Sequence, residues 1–102
     1  MHLIQIFLPV RDNDGQPYPQ PLLDQVREEL TVKFGGSTAF LRSPAVGAWD
    51  GGSGEVSRDE VILIEVMAEA VDHGWWFRFR SDLQQRFGRE EMLIRATTVE
   101  RL

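Results

Sequence analysis

Val61-Ile62-Leu63-Ile64-Glu65-Val66-Met67-Ala68 is the stretch that decides the fold of this chain. Val61, Ile62, Ile64 and Val66 are β-branched and no Gly or Pro interrupts them, so the run reads as a strand. Successive side chains of a strand point to opposite faces. Ile62, Ile64 and Val66 therefore share one face, and Val61, Leu63, Glu65 and Met67 share the other. Both sets are apolar apart from Glu65. A strand of that kind is usually central in its sheet and covered on both sides.

A second strand of the same character opens the chain. His2 to Val10 is rich in Ile, Leu and Phe and ends at the polar turn Arg11-Asp12-Asn13-Asp14-Gly15. Ile4, Ile6 and Leu8 fall on one face, and Leu3, Gln5, Phe7 and Pro9 on the other. The segment lacks a basic leader and a small-residue cleavage site, so it reads as a strand rather than a signal peptide. Prolines 17, 19 and 21 then form a stiff connection, with Pro21 suited to the first turn of a helix. From there Leu22, Leu23, Val26, Leu30 and Phe34 recur at helical spacing, with Glu28 and Glu29 outside and Gly35 as the stop.

Ser37 to Ala48 reads as a less regular strand, which Pro44 confines to an edge or a bulge. Trp49-Asp50-Gly51-Gly52-Ser53-Gly54-Glu55 is a turn by composition. Beyond the central run, Asp72 suits an N-cap. Trp76, Phe79, Leu83 and Phe87 form the inner stripe of a second helix that ends at Gly88. Glu91 to Leu102 supplies the last strand, with Ile94 and Ala96 on one face and Leu93, Arg95 and Val99 on the other.

The order β-α-β-β-α-β is that of an α+β, ferredoxin-like fold: a four-stranded antiparallel sheet with two helices on one face. The first and third strands are then central, and these are the two that are apolar on both faces. The helices leave Leu3, Phe7, Val61, Leu63, Met67, Leu93 and Val99 on the far side. A patch of that size predicts a homodimer packed sheet to sheet; the alternative is a monomer whose loops fold over the face.

Composition sets the remaining bounds. The 102 residues fit one domain, 1–102. There is no cysteine, which excludes disulfides and thiolate chemistry and suits a cytoplasmic protein. A formal charge of −5 argues against nucleic acid as partner. The one loose basic group, Arg78, Arg80, Arg86 and Arg89, is offset by Asp82, Glu90 and Glu91. No segment approaches a membrane span, and no internal repeat is present.

The apolar first strand, Gly47-Ala48-Trp49 before a Gly-rich turn, and the run Gln85-Arg86-Phe87-Gly88-Arg89-Glu90-Glu91 together resemble small bacterial ferredoxin-like domains of unknown function. In fold the chain is similar to the dimeric α/β barrels of antibiotic-monooxygenase-like and muconolactone-isomerase-like proteins. The resemblance implies a fold and a homodimer and carries no chemistry.

Candidate chemical residues are few. Glu65 is the one carboxylate on an apolar face, either a candidate base or a cross-strand partner of Arg95. Arg42, Arg58 and Arg95 lie on or beside strands and could grip a carboxylate or pair with Glu65 or Glu100. His73, beside Asp72, is an acid–base candidate or simply an exposed helix start. Trp49 and Asp50 could cover and anchor a ligand, or Trp49 could plug the core or an interface. His2 reads as a frayed terminus. No metal or cofactor is expected: the two histidines have no ligand spacing, and the glycines lack the lysine of a phosphate loop.

Two functions follow. One is a homodimeric binding or interaction module taking a small apolar or acidic ligand. The other is a small cofactor-free enzyme, monooxygenase- or isomerase-like, with a cavity at the sheet face lined by Glu65, Arg95 and Trp49. A third reading, addition of an edge strand to another protein, needs an exposed edge.

Overall fold

The computed structural model describes residues 1–36, 38–47 and 57–102, with side chains described for 1–36 and 61–102. The elements run β1 (His2–Pro9), α1 (Gln20–Phe34), β2 (Thr38–Gly47), β3 (Ser57–Ala68), α2 (His73–Phe87) and β4 (Ile94–Thr98). This is a mixed α+β fold in which two helices accompany an antiparallel sheet of order β2-β3-β1-β4. β1 and β3 are thus central, the position that apolar side chains on both faces require.

β1 and β3 pair from His2↔Ala68 to Pro9↔Val61 without a shift. The register sets apolar against apolar on one face: Ile6 lies between Ile64 and Ile94. Ile4, Ile6, Leu8, Ile62, Ile64 and Val66 are buried in one cluster with Leu23, Val26 and Leu30 of α1 and Trp76, Phe79, Leu83 and Phe87 of α2. The helix residues recur at intervals of three and four, the spacing of one helix face. Phe34, Trp75, Trp76 and Phe79 extend the core as an aromatic group, with ring centroids 4.7–5.7 Å apart.

The ends of the helices follow their chemistry. Asp72 caps α2, its Oδ1 accepting from the Trp75 backbone N–H at 3.0 Å. Gly35 and Gly88 close the two helices with φ of 76° and 61°, the left-handed region where a Cβ is costly. α1 has Pro19 at its N-cap and no side-chain cap.

Several expectations need correction. The last strand covers Ile94–Thr98 rather than Glu91 to Leu102. His2 is no frayed terminus; it pairs with Ala68 and Thr98 inside the sheet. The proline segment closes on itself. Arg11 bridges Pro17, and Asp12 Oδ1 accepts from the N–H groups of Asp14 and Gln16 at 2.9 and 2.8 Å. β2 does lie at an edge, and its irregularity falls between Leu41 and Ser43, ahead of Pro44. Among the described residues, no helix is long and apolar enough to cross a membrane.

Candidate functional site

The face of the sheet opposite the helices is only partly covered by the described residues. Leu3, Phe7, Val61 and Leu63 are half-buried there, and Met67 is 42% exposed. Leu93, just before β4, is 53% exposed, and its carbonyl accepts from the Phe7 N–H at 3.1 Å.

Across this apolar surface runs one polar row. The register places Glu65 of β3, Gln5 of β1 and Arg95 of β4 side by side. Arg95 Nε donates to Gln5 Oε1 at 2.7 Å, and Gln5 Nε2 donates to Glu65 Oε2 at 2.8 Å. The expected direct pair of Glu65 with Arg95 is therefore replaced by a relay. β1 lies between the two strands, so the amide must bridge them. Arg95 also sits over the Phe7 ring, 5.0 Å from its centroid, a favourable seat for a cation. Glu65 is half-buried and Arg95 exposed, so each keeps acceptor or donor capacity toward whatever covers the face.

Gln5 was the missed partner, though a signal for it existed. It is the one polar side chain between Leu3 and Val10, as Glu65 is in its own strand. Two lone polar residues on two central strands point to adjacent positions.

Glu65 also borders a cavity of about 520 Å³ at the end of β3, with Phe34, Gly35, Gly36, Met67 and Arg101. A second cleft, about 400 Å³, lies between the start of α2 and β4. Its floor is Ile4 and Trp76, and its titratable side chains are His73 and Arg80; Arg95 borders it from β4, with its guanidinium on the opposite face over Phe7. His73 is the exposed first residue of α2. Arg80 lies 5.5 Å from the centroid of Phe77, a ring that is 61% exposed. Neither Arg80 nor Arg95 has an ion pair among the described residues. The structure thus brings Glu65 and Arg95 to one row, and sets His73 with Arg80 at the cleft. Trp49 and Asp50 lie outside the described residues, as do the side chains of Arg42 and Arg58.

Within the basic group of the second helix, Arg86 is the residue with ion pairs among the described residues, to Glu29 as well as the expected Asp82. Arg86 makes a two-pronged contact with Glu29 of α1, at 2.7 and 2.8 Å, and a third bond to Asp82. The Glu29 hydrogen bond, with help from Asp82, holds the Arg86 guanidinium above its ordinary value despite partial burial. Arg89 donates to the Tyr18 hydroxyl and to the Arg11 carbonyl. Among the described residues, no three His, Asp or Glu side chains gather where a metal could be held.

No family model matches the chain, and no curated protein matches it. Among solved structures, a phage SAM lyase in complex with S-methyl-5'-thioadenosine is similar, with a TM-score of 0.65 and 13% identity. The match covers 94% of this chain and 79% of that one. At that identity the likeness shows the fold alone: a small α+β domain with two helices on an antiparallel sheet.

Proposed function

We propose that this chain is a cytoplasmic, ferredoxin-like binding module that works as a homodimer through the open face of its sheet. One observation carries the reading: Leu3, Phe7, Val61, Leu63 and Met67 remain partly exposed on two central strands. Completing the burial of a half-buried apolar side chain is worth about 1 kcal/mol, half the value for a full transfer. An isologous contact counts every such residue twice. The apolar gain, about 10 kcal/mol, leaves the surplus of about 6 kcal/mol that a dimer at tens of micromolar needs when the association cost lies at the low end of its range of about 4–15 kcal/mol. A single charge placed at the centre of the face should unbalance it. Light scattering on a sizing column is expected to give the dimer mass at tens of micromolar, and Leu63→Arg the monomer mass with the helical signal retained. A wild-type monomer would sink the reading.

The α2–β4 cleft supports a second activity of the same module, binding of a small acidic ligand. On a chain of net charge −5, the cleft carries the Arg80 guanidinium and its apolar surface includes Trp76 and Phe77. That combination suits an aromatic carboxylate, whose ring can stack and whose charge a guanidinium can grip. Benzoate is expected to raise the unfolding midpoint where neutral benzamide does not, and Arg80→Ala should remove the difference. Equal shifts from both compounds would rule out the charge contact. The catalytic alternative draws less support, because Glu65 is already engaged by the Gln5 amide.

A further inference from the structure

We propose that the two-fold axis of this dimer runs parallel to β1 at the level of Gln5, so that Glu65 of each protomer seats on Arg95 of the partner subunit. The inference rests on the reading of the open face as the self-association surface, and it deepens that reading by fixing how the second copy docks.

The argument is one of symmetry and charge. Adjacent strands lie about 4.8 Å apart, and β1 separates β3 from β4. Glu65 and Arg95 therefore stand at the two ends of a row about 10 Å long, at right angles to the strands, with Gln5 at its middle. The row is negative at the β3 end and positive at the β4 end.

Two copies of one face can meet face to face only across a two-fold lying in the plane between them. If that axis followed the row, each group would fall on its own copy, and both contacts would join like charges. If it follows the strands, the ends exchange. Glu65 then faces Arg95 of the partner subunit at both ends, and opposite charges meet twice.

One neighbouring layer suits the second arrangement, while in the other Met67 would meet Thr97 across Leu3. Leu63, Phe7 and Leu93 form the next level of the face. Exchange sets Leu63 against Leu93 and Phe7 against itself, apolar on apolar. At the centre, Gln5 meets Gln5. Each amide spends one acceptor position on Arg95 and one N–H on Glu65. The second N–H and second lone pair are left for a reciprocal bond with its own copy. Face-to-face sheets tolerate the roughly 30° twist such a pairing needs.

Charge reversal tests the axis. With the axis along the strands, Glu65→Arg turns both contacts repulsive, and the dimer dissociation constant measured by sedimentation equilibrium is expected to rise 10- to 100-fold. Adding Arg95→Glu to the same chain restores opposite charges and should return the constant to near the wild-type value. With the axis along the row, Glu65→Arg exchanges one like-charge contact for another and leaves the constant unchanged.

Cysteine pairing gives a second readout, clean because the native chain has none. On mild oxidation, a mixture of Glu65→Cys and Arg95→Cys chains should form the mixed disulfide, and neither variant alone should link to itself. Self-linking of Glu65→Cys, an unchanged constant for Glu65→Arg, or failure of the double reversal to restore it would each overturn the axis while the dimer stands. A monomeric wild type would overturn the dimer and the axis together.

Discussion

Arg86 carries the tightest polar contact between the two helices. Its fork meets both Glu29 oxygens, and Asp82 takes a third bond. The Arg86 side chain is only 22% exposed and that of Glu29 40%, so water screens the contact incompletely. Arg86→Ala should therefore cost more than an ordinary surface ion pair, about 1–2 kcal/mol in urea unfolding. Arg86→Lys keeps the charge but loses the planar fork and should recover less than half of that. A cost below 0.5 kcal/mol for the alanine variant, on the scale of a surface pair, would mean that the contact contributes no more than one. From the sequence, Arg86 read as part of a loose basic patch and Glu29 as an outer residue. They meet because α1 and α2 lie side by side, 57 positions apart in the chain, and no local pattern reports that distance. Tyr18 is a similar case. It looked like part of a stiff linker, yet its hydroxyl donates to the Phe87 carbonyl and its ring meets Phe87 edge-on at 4.9 Å.

The elements were the most legible level, because their signals are local. The stripe Trp76, Phe79, Leu83 and Phe87 predicts a helix whose buried residues are those four. Asp72 predicts its cap and Gly88 its end, and both hold in the structure. Asp72→Ala leaves the Trp75 N–H without its acceptor and should lower stability by about 1 kcal/mol, while Asp72→Asn should cost far less. Equal losses from both variants, followed by thermal unfolding, would show that the cap acts by charge and not by its hydrogen bond. The last strand was the element read too long. Its alternation continues weakly past Thr98, but the paired ladder with β1 ends at His2↔Thr98, with one further backbone bond from the Val99 N–H to the Met1 carbonyl. Strand length is set by the neighbour as well as by the strand.

For the whole molecule, the decisive asymmetry is between the two faces of one sheet. Ile4, Ile6 and Leu8 are at most 1% exposed, whereas Leu3 and Phe7, which alternate with them, keep part of their surface. The helices complete one face; the other is where a second copy belongs under the proposed reading. This makes the association visible in stability. Binding that favours the folded state raises the unfolding midpoint with protein concentration. The wild-type midpoint should climb over a hundredfold range of concentration, and that of Leu63→Arg should stay flat. A flat wild-type curve would count against a dimer coupled to folding.

Residue order alone determined the alternation of apolar side chains, the two helical stripes, the caps and the central place of the first and third strands. Each of these follows from periodicity and from the backbone needs of single residues. Only the tertiary structure decided that Gln5 stands between Glu65 and Arg95, that Arg86 reaches Glu29, and that His73, Arg80 and Arg95 border one cleft. Those pairings depend on strand register and on helix placement over the sheet. Both are fixed by the burial of the whole core at once, and so cannot be read from any one stretch of the chain.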